Sequence, residues 1–151
     1  MNYTISEIED AVLTALAPMS VANGGPLRTL GSYEGQFEEA LTGRDQTIVL
    51  LPAALVTFTG ATYLPDDEPC FERTVRFAVL HASMNLKSEP ARRREVYTLL
   101  ETSKRLLLNQ TLGLEITPLV LERETVVESS RSVTVYGAEY SLSYQEDLSA
   151  Y

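Results

Sequence analysis

The sequence is poor in the residues that build most metal, redox and nucleophilic sites. Its 151 residues include one cysteine, Cys70, one histidine, His81, and no tryptophan. A single cysteine excludes an internal disulfide, so the chain fits a reducing compartment such as the cytosol. A lone histidine leaves a metal centre or a Ser-His-Asp triad without the further residues that either needs. Because His81 falls in phase with the apolar face of its predicted strand, we expect a packed histidine.

Long apolar runs and excess positive charge are also missing. The longest apolar run, 48–56, contains Pro52 and is too short to span a membrane. The chain has 12 Lys and Arg against 21 Asp and Glu, a formal net charge of −9. We therefore expect no specific nucleic-acid binding and no membrane partner, since both would favour clustered cations. Apolar residues make up 44% of the chain, which together with its length indicates one globular domain over residues 1–151.

Two long helices are predicted from apolar spacing and end signals. Thr4 and Glu7 form a capping-box pattern that opens the first helix, which Pro18 ends after about Ala17. Its apolar stripe consists of Ile5, Ile8, Val12, Ala15 and Leu16. The second helix begins at Glu89–Pro90 and continues to about 109–111, with Gly113 as its expected cap. Arg92 is expected on the solvent-facing side of this helix.

The remaining pattern is mostly β-strand. A loop over residues 19–35 contains a short extended piece at 27–33, and 36–42 could form a short helix ending at Gly43. The predicted strands are 47–51, 53–63, 70–82, 119–127 and 132–144, the last two forming a hairpin through 128–131. This order predicts an α+β fold, with a mainly antiparallel sheet flanked by two long helices.

The turn Pro65–Pro69 carries three consecutive acidic residues. They could be ligands for a hard cation, but calcium loops alternate their oxygen ligands around a glycine, so a solvated turn is favoured. The same acidity disfavours a nucleophilic Cys70, because a low thiol pKa needs cationic neighbours. An exposed turn is also where a scaffold carries contacts, so Tyr63, Asp66 and Asp67 are candidate interface residues.

Two further groups leave alternatives open. Arg92–Arg94 could be a solvated helix face or could contact an acidic neighbour such as another copy of this chain, which makes Arg92 and Arg93 candidate interface residues. The tyrosines of the last strand, Tyr136, Tyr140 and Tyr144, could be core or interface. Glu122 and Glu124, two residues apart on one strand, could converge in a shallow enzyme site, but nothing supplies the acid–base asymmetry that a mechanism needs.

The order of features resembles the Mu-type bacteriophage tail terminator family of phages and prophages. The segments that carry the resemblance are ISEIEDAV (5–12), LGSYEG (30–35), LPAALVTFTG (51–60), LLLNQTLGL (106–114) and VTVYGAEY (133–140). They span nearly the whole chain, and they are structural motifs without catalytic residues.

The resemblance implies a virion structural protein and no enzyme. It implies a ring, usually hexameric, that caps the tail tube, stops tube growth and presents a surface to a head-completion or neck protein. The expected location is the virion tail, with the host cytoplasm during assembly, and neither cofactor nor metal is expected. The alternative is a small acidic inhibitor or immunity-type protein that binds a basic partner and is monomeric on its own.

Overall fold

The first helix, α1, begins at its predicted cap. In the computed structural model, which describes residues 2–33, 49–84, 88–129 and 133–151, α1 spans Ile5–Leu16. The N–H of Glu7 donates to Thr4 Oγ1 (3.1 Å), and the N–H of Thr4 donates to the Glu7 carboxylate (2.6 Å). Both halves of the capping box are therefore formed, as the sequence predicted. Ile8, Val12 and Leu16 are buried, which confirms the centre of the apolar stripe.

The second helix, α2, spans Glu89–Leu107 and is shorter at its end than predicted. The N–H of Ala91 donates to Ser88 Oγ (3.2 Å), so Ser88 caps its start. Leu108, the residue after the helix, has an extended backbone, and Gly113 lies five residues further on in a separate turn. Within the described ranges, neither helix has the length and apolar character needed to cross a membrane.

Five strands of the described residues form one sheet in the order β1-β2-β3-β5-β4. The strands are β1 (Thr29–Ser32), β2 (Ala53–Pro65), β3 (Cys70–Ser83), β4 (Val120–Ser129) and β5 (Thr134–Asp147). β1 runs parallel to the start of β2, and the other neighbours are antiparallel. The central pair, β3 and β5, is in register from Cys70↔Asp147 to Ser83↔Thr134.

The main core lies between one face of this sheet and both helices. Side chains from α1, α2 and the three strands β2, β3 and β5 form a single buried cluster. At its centre the rings of Phe77 and Tyr140 stack at 5.6 Å between centroids and 14° between planes. A smaller cluster on the other face, around Leu55, Ala82 and Val135, is covered by partly buried residues that include Val49 and Leu51. Tyr140 and Tyr144 are buried, so these tyrosines belong to the core.

The predicted fold class is wrong in two respects. The sheet is mixed, because β1 pairs parallel with β2 instead of antiparallel. The helices are not two long elements that flank the sheet: α1 has only 12 residues, and both helices contribute to the cluster on the same face. The physical reason is a contact between distant segments, since the four-residue β1 pairs with β2 more than 20 residues later and no local pattern specifies the direction of that pairing.

The remaining predicted elements are partly confirmed and partly lie outside the strands or outside the described residues. The extended piece at 27–33 is confirmed as β1, whereas residues 49–51 of the predicted strand 47–51 lie outside the strands. Residues 47–48, the short helix predicted at 36–42 with its end at Gly43, and residues 130–131 of the predicted hairpin turn lie outside the described residues.

The cap gives a direct test of the fold. Replacing Thr4 with Ala should lower the free energy of unfolding by about 1 kcal/mol, because the N–H of Glu7 loses its side-chain acceptor, Thr4 Oγ1. Urea unfolding followed by circular dichroism measures the change. Thr14→Ala is the matched control, since Thr14 is exposed within the same helix and Ala is the better helix former. Equal losses in the two variants would contradict the role of the cap.

Candidate functional site

The acidic turn, Pro65–Pro69, connects β2 to β3 as predicted. The N–H of Asp66 donates to the carbonyl of Cys70 (3.2 Å), and the N–H of Cys70 donates to the carbonyl of Asp67 (2.8 Å). Gln145 Nε2 donates to the carboxylate of Asp66 (2.6 Å), which ties the turn to β5. Asp66, Asp67 and Glu68 are exposed. In the part of the chain that the structure describes, no group of three His, Cys, Asp or Glu side chains could hold a metal ion.

An acidic cleft of about 450 Å³ lies beside this turn. Its lining residues are Asp66, Glu72, Glu115, Ile116, Thr117, Ser143, Tyr144 and Gln145. Three of these side chains are carboxylates and none is a Lys or Arg. The cleft therefore favours contact with positively charged groups.

A tyrosine cleft of about 570 Å³ lies at the same end of the sheet. Its lining residues are Tyr3, Thr4, Ile5, Tyr63, Arg73, Glu146, Leu148 and Tyr151. Tyr63 is 47% exposed, and the Arg73 guanidinium lies 5.6 Å from its ring centroid. Exposed tyrosines beside a cation are a common composition of protein interfaces.

A buried ion pair, missed in the sequence, lies against this tyrosine cleft. Arg73 Nε is 3.7 Å from the carboxylate of Glu146, and both side chains are nearly buried. Arg73 Nη1 also donates to Tyr144 Oη (2.7 Å) and to the carbonyl of Tyr3 (3.2 Å), which joins β3, β5 and the start of the chain. Arg73 lies on the same face of β3 as the buried Val75 and Phe77. A charged residue at a position where the alternation predicts a core residue is the sequence signal that could have revealed this ion pair.

The predicted arginines lie at the start of α2, at the other end of the sheet. Arg92 is only 4% exposed and its Nε donates to Thr134 Oγ1 (3.3 Å), so the expectation that it faces solvent is wrong. The start of α2 packs Arg92 against the beginning of β5, where Thr134 accepts a hydrogen bond from the buried guanidinium. Arg93 is partly buried and Arg94 is exposed; together with Pro90 and Tyr97 they line a basic cleft of about 220 Å³.

The structure therefore divides the candidate residues between two places. Tyr63, Asp66 and Asp67 share the end of the sheet at which β3 begins. Arg92 is anchored to Thr134, whose partner Ser83 is the last residue of β3. A strand of 14 residues extends roughly 40–45 Å. The acidic turn and the basic cleft cannot meet within one chain.

His81 is the packed histidine that the sequence predicted. It is fully buried, and its Nε2 lies 2.9 Å from Ser103 Oγ of α2. Since the Ser103 hydroxyl donates to the carbonyl of Leu100 (3.0 Å), Nε2 of His81 carries the hydrogen and donates to Ser103. Burial lowers the pKa of His81 to about 4. The histidine is neutral at neutral pH and has no access to a substrate.

Glu122 and Glu124 do not converge. The carboxylate of Glu122 is 3.5 Å from Arg76 Nε, while that of Glu124 is 3.4 Å from Lys104 Nζ of α2. Their partners lie on opposite faces of the sheet, because the register of β4 shifts between Leu121 and Arg123. The hypothesis of a shared carboxylate site is therefore wrong.

The chain belongs to a family of bacteriophage proteins. A sequence model of the family described as Bacteriophage Mu, Gp37 matches residues 4–145, so the chain is a member of that family. This confirms the resemblance at the level of a phage protein family, and the tail-terminator role stays a prediction. No curated protein matches the chain at a significant level.

The fold is shared with a chain of a gene transfer agent particle. A chain from the structure titled "Virion of native gene transfer agent (GTA) particle" superposes with a TM-score of 0.63 at 10% sequence identity. The superposition covers 96% of this chain and 100% of that chain. At this identity the likeness is one of fold.

The buried histidine predicts a pH dependence of stability. The pKa of His81 is about 4 in the folded chain against an ordinary 6.5, so the unfolded chain binds more protons between these values. His81 should therefore lower the free energy of unfolding by about 3 kcal/mol as the pH falls from 6.5 to 4, and should have no such effect above 6.5. His81→Gln should lack this contribution.

Two measurements check the prediction. Urea unfolding at several pH values gives the free energy of unfolding of the wild type and of His81→Gln as a function of pH. The difference between the two curves removes the titration of the carboxylates, which both proteins share. The NMR titration of the single histidine gives its pKa directly. A folded-state pKa near 6.5 would contradict the burial of His81 against Ser103.

Proposed function

We propose that this chain is a structural protein of a phage virion that forms a ring, most simply of six copies, on the end of the tail tube. The ring ends tube growth and provides the surface to which a head-completion or neck protein joins. The partners are therefore other copies of this chain, the tail tube protein and the head-side protein. The protein acts in the tail of the virion after assembly in the host cytoplasm.

The observation that carries the proposal is the fold shared with a virion component over the full length of that chain. Membership of a bacteriophage Mu family supports it from the sequence side. Both comparisons favour a virion structural protein over the acidic inhibitor or immunity-type protein and over an enzyme. The burial of His81 agrees with this, because the single histidine is committed to the core.

The clefts beside the acidic turn suit a protein interface. Asp66 lines the acidic cleft and Tyr63 lines the tyrosine cleft, so the turn separates two concave surfaces of different character. Both surfaces are open, and Tyr63 is half exposed. We therefore place a contact to a neighbouring subunit or to the tube at Tyr63, Asp66 and Asp67.

The charge balance suits a ring through which DNA passes. Net negative charge around a channel repels phosphate and prevents the nonspecific binding that cations promote. We expect acidic side chains to dominate the inner surface, with Arg92–Arg94 directed away from it. The chain then needs no specific nucleic-acid contact.

The first test is the oligomeric state. We expect closed rings at high concentration or with the tube protein present, and more of them as salt rises, because salt screens the repulsion between acidic subunits. Light scattering gives the mass and negative-stain electron microscopy gives the shape. A chain that stays monomeric in every condition, including with the tube protein, favours the acidic inhibitor instead.

The second test addresses the acidic turn. Replacing Asp66 and Asp67 together with Ala should lower the unfolding midpoint only slightly, because both residues are exposed and only the surface hydrogen bond from Gln145 to Asp66 is lost. The double variant should weaken ring assembly or capping. Asp10→Ala is the control for the loss of an acidic group, because Asp10 is exposed on α1. Glu7 is unsuitable as a control, since it forms part of the helix cap. Normal capping by the double variant would mean that the turn is a solvated connection between β2 and β3 and makes no assembly contact.

A further inference from the structure

We propose that the acidic turn of one copy docks into the basic cleft of the next copy, with Asp67 opposite Arg94. This inference rests on the proposed ring and names the contact that closes it. The occupant of the basic cleft is thus a second copy of this chain, and the contact joins two different surfaces.

The acidic turn has a shape and a charge that suit insertion into the basic cleft of the next copy. Asp67 and Glu68 are exposed at the tip of the hairpin between β2 and β3. The two backbone hydrogen bonds between Asp66, Asp67 and Cys70, and the bond from Gln145 to Asp66, hold the tip in one conformation. A held turn loses little conformational freedom when it binds.

The basic cleft has the matching character. Arg94 is exposed and forms no ion pair with another described residue, whereas Arg73, Arg76, Lys104 and Arg123 are all paired with carboxylates. Arg93 and Tyr97 form the walls, and Pro90 marks the first turn of the 19-residue α2. The start of a helix attracts negative charge, and a guanidinium can bind a carboxylate with two parallel hydrogen bonds.

The positions of the two surfaces make the contact intermolecular. They lie at opposite ends of β3, and this strand spans roughly 40–45 Å. Such a contact repeats from copy to copy and produces a ring when its rotation closes. It also allows chains of net charge −9 to associate, because the exposed Arg94 of one copy meets the negative turn of the next.

Charge reversal tests the pairing. Asp67→Lys and Arg94→Glu each place like charges in the contact, so each variant alone should need at least about tenfold more protein for half assembly than the wild type. A 1:1 mixture of the two should assemble like the wild type. In that mixture the reversed turn meets the reversed cleft, and the two unchanged surfaces meet each other, in alternation around an even-numbered ring.

Matched variants control for the change in net charge. Asp10→Lys on α1 and Arg105→Glu at the far end of α2 alter exposed residues by the same charge, and should assemble like the wild type. Circular dichroism checks that every variant folds. Assembly is measured by light scattering across concentration at fixed salt.

The outcomes separate this inference from the proposed function. Wild-type rings with no change in either single variant, or with no rescue in the mixture, overturn the pairing of Asp67 with Arg94 and leave the ring in place. A wild type that forms no ring with the tube protein present overturns both. Loss in each single variant, rescue in the mixture and normal assembly of both controls is the result we expect.

Discussion

The pairing of β3 with β5 is the interaction on which the rest of the structure depends. It runs from Cys70↔Asp147 to Ser83↔Thr134 without a register shift. Because side chains alternate across a strand, this register places Phe77 and Tyr140 on the same face, where their rings stack beneath the helices. A slip by one residue would turn that entire row toward the opposite face. The same pairing fixes the distance between the acidic turn at one end and the arginines at the other.

Local signals in the sequence were sufficient for the elements of this core. The reciprocal bonds of Thr4 and Glu7 involve residues three positions apart, so they could be predicted without knowledge of the fold. The alternation of Val75, Phe77 and Val79 on β3 likewise follows from a period of two. The acidic turn was predictable because its prolines and acidic residues are themselves turn formers.

What failed depends on contacts between distant parts of the chain. The parallel pairing of β1 with β2 brings Thr29 beside Ala53, and no local pattern specifies strand direction. Arg92 is buried because Thr134, 42 residues later, accepts its hydrogen bond. Glu122 and Glu124 separate because the strand bulges between Leu121 and Arg123, which shifts the side-chain alternation by one residue. In each case the tertiary partner decides the position of the side chain.

The chain combines membership of a phage family with a proposed role in tail assembly. The family places the chain among bacteriophage proteins, and the open clefts at the ends of β3 provide surfaces for assembly. The most direct test adds the purified protein to its phage's tail tube protein during polymerisation and measures tube lengths by electron microscopy. If the chain caps the tube, the tubes should become shorter in proportion to the protein added and should carry a ring on one end. Tubes of unchanged length with bare ends would contradict the proposed role.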